Sequence, residues 1–460
     1  MKSTLAVALI GLAVMPLVGC QAWIPPHPER DAAVATGVAD AIEFHHEGLP
    51  DQDPRGVSNN LTLPDAVRRA LQSHPSIQAA LAAVRVAEAE AAQTRLLPNP
   101  IINLAFRLPE SGGPPIVAVS LAAELLSLVQ KPGQVRVADF RLRAASAQAV
   151  IVVLDVVTEV RQRYAAVQAL DALMPVLEER EKLLDRLLAI AESRLRAGEG
   201  IRLDVTTLEA QRAELDVEMI EQRAERRQQR LQLSRSIGQP LDAARWTVTP
   251  WTEAPVVRTD EAAWIRTALE HRPELQAKLW ELSALGVEVG LARWAFIEGG
   301  EADVEAERDG TWSTGPSIGV PIPIFDWGQA QRAKAQALRT QTLHEMTDQR
   351  RTVIEEIRTA REALQASLEA YRRVRDGVIP LLEKRRREAT SQWEAGQSDI
   401  LPLILAEQDL EAAKARRIEF ERKATEALIH LERAVGGPAY VPAGNPSTDL
   451  PATPITSPKE

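Results

Sequence analysis

One cysteine, seven histidines and 64 carboxylates are the side chains in this 460-residue sequence with reactive chemistry to offer, and their spacing limits what they could do. Cys20 is the only thiol. It follows Lys2, an apolar run from Leu5 to Leu17, and the tetrad Leu17-Val18-Gly19-Cys20, which reads as a bacterial lipoprotein signal over residues 1–19, cleaved before the cysteine. The run is too short for a permanent membrane helix. Acyl chains on Cys20 would anchor the mature chain instead, more than one being needed for a stable hold. His27, His45 and His46 lie in a proline-rich stretch; a metal needs further ligands at suitable spacing, so they read as surface histidines. Glu301, Asp303, Glu305 and Glu307 alternate with Ala302, Val304 and Ala306, which sets four acids on one face of a strand as a field favouring cations. Glycine-rich phosphate loops, HExxH or CxxC metal motifs and nucleophile elbows are missing, and the remaining carboxylates sit on long helical runs where acids form surface ion pairs. The sequence predicts no enzyme, no cofactor and no metal centre.

The elements that position these residues come in two copies. RLRAGEGIRLDVTTLEAQ at 194–211 returns as QWEAGQSDILPLILAEQD at 392–409, an offset of 198 residues. ALQSHPSIQA at 70–79 against ALEHRPELQA at 268–277, and LQLSRSIGQP at 231–240 against IHLERAVGGP at 429–438, share that offset. So long a period means that each copy is one large unit and not a stackable solenoid module. Aromatic content of 4% in a chain rich in Ala, Leu, Glu, Arg and Gln is the composition of long helices. A formal charge of -10 argues against a nucleic-acid partner.

In chain order, residues 20–60 read as a loosely structured, lipid-anchored tether, because proline, acids and small residues alternate there without a period. The first repeat spans 61–240. Thr62 and Pro64 start a helix and Pro75 interrupts it. Strands follow over about 100–126, with Ile102, Leu104, Phe106 and Leu108 on one face and Val117, Val119 and Leu121 on the return strand beyond the turn-rich PESGGPP at 109–115. A helix from Gly133 to Ala197 would be roughly 100 Å long. Val153, Val160, Val167 and Met174 recur in it every seven residues, a coiled-coil spacing, and Pro175 predicts a kink or restart. Gly198 turns the chain, and a returning helix of roughly 60 Å ends at Gly238. After a linker at 241–260, the second repeat at 261–438 has the same order: strands over about 296–325, a loop DGTWSTG at 309–315, a return strand carrying Ile318, Val320, Ile322 and Ile324 on one face, a heptad of Ile357, Leu364, Tyr371 and Val378, and a turn at Gly396. Residues 439–460 read as a disordered tail.

That order, helix, hairpin, very long helix, glycine turn and returning helix, twice over, resembles the TolC-type outer-membrane efflux proteins across residues 61–437. SIGVPIPIFDWGQAQRAKAQA at 317–337 is similar to the family's strand-to-helix junction and RLRAGEGIRLDV at 194–205 to its periplasmic turn. With the Cys20 signal, the resemblance is to the lipoprotein branch, in which a residue such as Gln21 after the cysteine permits sorting to the outer membrane.

The resemblance implies a mainly α fold with a small β part: a coiled-coil barrel of long helices and a twelve-stranded β-barrel shared by a homotrimer, four strands per protomer, since four strands alone cannot close. It implies a passive exit duct that works with a periplasmic adaptor and an inner-membrane transporter. The adaptor would meet the turns, at Gly198, Glu199, Arg202, Asp204 and Gly396. Many family members carry acids six and nine positions beyond the second-repeat glycine, where they constrict the entrance; here these positions are Pro402 and Leu405, with Asp399 and Leu401 beside them, which predicts an apolar constriction. The acid row 301, 303, 305 and 307 would line the lumen. The first strand, held between Pro100 and Pro109, would rise about 20 Å when tilted, short of the roughly 25 Å apolar band of such barrels. The runner-up is a lipid-anchored coiled-coil spacer without a pore, for which two alternating hairpins would have no use; an adaptor subunit would need small β domains that the chain lacks.

Overall fold

The computed structural model describes residues 26–38, 42–51, 56–108, 115–241, 244–251, 260–297, 299–309 and 311–441. The expected signal and Cys20 lie outside them, as do most of the 109–115 loop, residues 252–259 of the linker and the tail beyond 441.

The duplication is visible in helix boundaries. In the first repeat α2 runs Leu63–Ser73 and α3 Pro75–Arg95, and in the second α6 runs Glu261–His271 and α7 Pro273–Leu291. Each pair splits at a residue before proline, His74 and Arg272, whose extended backbone is what the proline ring demands. The rods follow. α4 covers Leu125–Ala197, 73 residues, or about 110 Å, and α5 covers Arg202–Ser236. Their counterparts are α8 (Gln329–Arg373), continued by α9 (Ile379–Glu394), and α10 (Leu401–Val435). Side by side, α3 and α5 pack along one flank of α4, α7 and α10 along its other flank, and α8 lies beyond α7 and α10. The result is a wall whose two edges are α3/α5 and α8/α9.

Four antiparallel strands stand at one end: β2 (Ile101–Arg107), β3 (Ile116–Glu124), β5 (Glu301–Asp309) and β6 (Thr311–Gly319), in the order β2-β3-β5-β6. Three of them have nine residues, which at a tilt of about 40° rise roughly 23 Å. A two-residue parallel pair, β1 (Asn60–Leu61) with β4 (Thr247–Val248), ties the start of the first repeat to the linker that follows it.

Several expectations need correction. The tether is not loosely structured throughout: α1 (Pro28–Thr36) forms, because Ala32 and Ala35 are small enough to bury against the rods. Within the linker, Trp246 and Val248 join the same core. Tail residues 439–441 also pack, with Tyr440 stacked on His271 at 5.2 Å and Val441 buried. The second hairpin does not turn through a 309–315 loop; β5 and β6 pair out to Asp309↔Thr311. Its return strand stops at Gly319, so Val320, Ile322 and Ile324 lie beyond the ladder. The long helix begins at Leu125, and Pro175 stays inside it. In the first repeat Val153, Val160, Val167 and Met174 are all buried. In the second, Ile357, Leu364 and Tyr371 are buried but Val378 is exposed. There a π-turn, Val374–Val378, adds a residue ahead of Pro380, and the packed face moves on to Ala389 and Trp393.

Candidate functional site

The two glycine turns lie at the end of the rods away from the strands. At both, the last helical turn is closed in the same way: Gly198 N–H donates to Leu195 O (3.1 Å) and Glu199 N–H to Arg194 O (2.9 Å), while Gly396 N–H donates to Trp393 O (3.0 Å) and Gln397 N–H to Gln392 O (2.8 Å). This cap needs a left-handed residue. Gly198 has φ 78° and Gly396 φ 68°, conformations that cost a residue with a Cβ.

Beneath the turns the ends of α4 and α9 and the starts of α5 and α10 share one apolar cluster, including Leu187, Ala191, Val205, Leu208, Trp393 and Leu403. Arg194 locks the two turns together: its guanidinium lies 4.5 Å above the Trp393 ring and donates to Trp393 O at 3.3 Å. Sequence reasoning missed this pair. Its one signal was that Trp393 is the only tryptophan after Trp327.

Glu199 and Arg202 are exposed on the first turn, beside exposed Ile201 and Leu203, while Asp204 is half-buried in the first turn of α5. At the second, the stretch 401–405 divides. Leu403 and Ile404 are 2% exposed and belong to the cluster, whereas Leu401 (55%) and Leu405 (44%), one helical turn apart, face outward with Pro402, and Asp399 is exposed nearby. The structure thus brings Leu401, Pro402 and Leu405 to one surface.

Deeper along α10, Glu407 and Glu411 are buried one turn apart. Arg386 reaches Glu407 at 3.7 Å from α9, and Lys414 bridges Glu411 (3.0 Å) to Glu179 of α4 (3.4 Å). Burial raises the Glu407 carboxyl above its ordinary range; Arg386 opposes this and Glu411 adds to it. Acids on a helix read as solvated from sequence alone, so these two were missed.

In the sheet, the register sets Asp303 opposite Ala122 and Ser317, Glu305 opposite Ser120 and Gly315, and Glu307 opposite Ala118 and Ser313. The acid row therefore shares its face mainly with small and polar residues, with Ile101 and Ile116 toward its ends. Ala118 and Ala122 on that face are buried, and the large apolar residues of the other face, such as Leu104 and Val304, are exposed. A sheet that curls with the acid-bearing face as its concave side would crowd side chains such as Ala118 and Ala122 and splay those such as Leu104 and Val304, in keeping with their exposures. Below the strands, Trp294, Phe325 and Trp327 are exposed, and Trp312 is exposed at the far end of β6, aromatic bands that the sequence reading did not single out. Among the described residues no helix is long and apolar enough to cross a membrane, and no group of three or more histidine, cysteine or acidic side chains could hold a metal.

A family model for outer membrane efflux proteins matches residues 66–239 and 264–437, two segments again 198 residues apart. Among curated protein sequences no match is found. Of solved structures, the outer membrane protein VceC of Vibrio cholerae is similar with a TM-score of 0.70 at 19% identity, over 82% of this chain and 96% of that one. The CmeC outer membrane channel of Campylobacter jejuni gives 0.68 at 16% identity, over 88% and 91%. The MtrE outer membrane channel of Neisseria gonorrhoeae, in an open state, gives 0.64 at 18% identity, over 87% and 94%.

Proposed function

The chain belongs to the outer membrane efflux protein family, and on that premise we propose that three copies close into one duct, with the chain's own edges as the seams. Efflux across the outer membrane is its function, as the passive exit duct through which small molecules or ions leave the periplasm; the pore-less spacer finds no support. The observation that carries the trimer is that sheet and wall are left open on the same two sides. β2, which follows α3, and β6, which leads into α8, are the unpaired edge strands. They run in opposite directions, so β6 of one copy can pair antiparallel with β2 of the next, and an unpaired edge in lipid is not tolerated. Below, Leu203, Ala210, Val217, Ala224 and Leu231 form an exposed stripe of every seventh residue along edge helix α5, the spacing of a coiled-coil seam waiting for a partner.

In the closed ring the concave faces of three sheets make the lumen, and Asp303, Glu305 and Glu307, together with Glu301 from the same row, give it a negative field that favours cations. The turns face the periplasm. Glu199, Arg202 and Asp204 beside Gly198, with Gly396, offer the surface for a periplasmic adaptor that links the duct to an inner-membrane transporter, and Leu401, Pro402 and Leu405 with Asp399 narrow the resting entrance by apolar contact. Acyl chains on Cys20 add an anchor in the outer membrane. The test is native mass spectrometry of the detergent-purified full chain followed by planar-bilayer conductance. A lipidated trimer with cation-selective channels is expected, and a monomer without conductance would refute the proposal.

A further inference from the structure

One cross-strand row at the outer end of the sheet is chemically unlike the rows beneath it. The register aligns Phe106, Val117, Arg308 and Trp312 across all four strands. Their side chains stand on the convex face, opposite to the acid row, because the faces alternate along each strand. Arg308 is the only charged residue at a convex position of the four strands, the other convex positions of β5 being Ala302, Val304 and Ala306. It is exposed, as are the two aromatic residues of its row. Among the described residues it has no ion-pair partner, and no acid occupies its face.

On the reading of this sheet as a third of a membrane barrel, a lone cation on the lipid side is tolerated near the interface and strongly disfavoured at mid-depth. Arg308 satisfies that rule, since its row is next to the last pair of the hairpin, Asp309↔Thr311, and farthest from the helices. No described side chain supplies an anion on that face, which leaves the position open to one from outside the protein. A guanidinium is matched in shape to phosphate, with two parallel donors, and a tryptophan directly across the strand pair has its ring at headgroup level. We propose that Arg308 and Trp312 form a site, repeated on each protomer, for the phosphorylated headgroup of an outer-leaflet lipid, with Phe106 closing the row against the acyl chains. Phosphate is the recognised chemistry, and the lipid is its source.

The experiment uses the full chain in phosphatidylcholine vesicles with and without lipid A, a phosphorylated glycolipid. Native mass spectrometry of protein recovered from lipid A vesicles is expected to show about one retained lipid A per protomer; Arg308→Gln should cut retention at least about fivefold, and Arg308→Lys, which keeps a point charge but not the fork, should fall between. Equal retention by wild type and Arg308→Gln would overturn the site. Retention that millimolar inorganic phosphate abolishes would overturn the lipid as source, leaving a free-anion site. A separate arm tests the underlying barrel. Tail-brominated phosphatidylcholine should quench a component of tryptophan fluorescence that Trp312→Phe removes, whatever the fate of lipid A. If no such component exists, the membrane-facing assignment itself fails.

Discussion

Removing the Trp393 side chain should open the periplasmic end of the rods and leave their middle intact. The ring is 5% exposed in a cluster shared by four helix ends, and a Trp→Ala change in such a site costs about 3–5 kcal/mol. Arg194 loses its ring partner as well, a partly desolvated cation–π contact of about 0.5–2 kcal/mol. A net loss of about 4 kcal/mol corresponds to roughly a thousandfold in a local opening equilibrium. The loss stays local because the packing is segmented. The cluster around Trp393 has no residue in common with those built on Val157 and Tyr164 or on Ile357 and Leu364. From Leu364 to Trp393 the helix runs roughly 45 Å. Hydrogen exchange of the full chain is the assay. In Trp393→Ala, amides of 183–200 and 386–410 should exchange up to about a thousandfold faster, those of 150–165 and 353–364 should not change, and single-channel conductance should rise. Uniform loss of protection along the rods, or unchanged protection at the turns, would refute the segmented packing.

Three further outcomes follow from the same geometry. Gly437→Ala should release α1: at φ 142° its added Cβ would lie 2.2 Å from Ala35 O, so the segment must shift, and limited proteolysis should cut 28–36 first while the rods stay resistant. Leu405→Asp puts a charge at the apolar surface of the second turn and should raise conductance in bilayers; unchanged opening would exclude an apolar gate there. For pH, the folded carboxyl of Glu407 is raised mainly by burial, so its contribution is fully favourable below about 4.5, the unfolded value, and is lost as pH rises through the folded one. Glu274 has the opposite sign. Burial raises it, but Arg433 and Arg272 outweigh burial and lower it, so its contribution is present above about 4.5 and is lost as pH falls. As pH falls through the folded value of Glu407, protection factors at 386–410, taken relative to intrinsic amide exchange at each pH, should therefore rise, a response that Glu407→Gln should abolish; a fall in those protection factors would contradict it.

Much of the fold was legible because the repeat unit carries its own punctuation. Prolines 75 and 273 and glycines 198 and 396 impose backbone conformations that hardly depend on what packs around them, and each sits where the chain bends or reverses. The segments that misread were those decided by tertiary contact. Alanines in 28–36 carry no periodic signal strong enough to declare a helix, yet their size is what lets α1 lie against the rods. Pro175 and Pro380 look alike in sequence. One stays within a continuous helix, while the other follows a π-turn beyond which the packed face moves on, so the proline alone does not decide the outcome.

The candidate site shows the same division at finer scale. Both turns are written in the glycine and its offset of 198, but the sequence presents 401–405 as one apolar run, whereas helical geometry sends Leu403 and Ile404 inward and leaves Leu401 and Leu405 outside. The same periodicity puts Glu407 and Glu411 on the inward side of α10, where acids are costly unless neutralised, and Arg386 and Lys414 supply the neutralising charge from α9 and from the next turn of α10. An entrance that closed on acids near the turn would add repulsion to that buried pair. With apolar residues at 402 and 405, Glu407 stays inside the wall against Arg386 of α9, and the outward surface carrying Leu401 and Leu405 holds no competing charge at those positions. In this chain, the proposed apolar entrance surface and the buried Glu407–Arg386 contact are thus on separate faces of one helix.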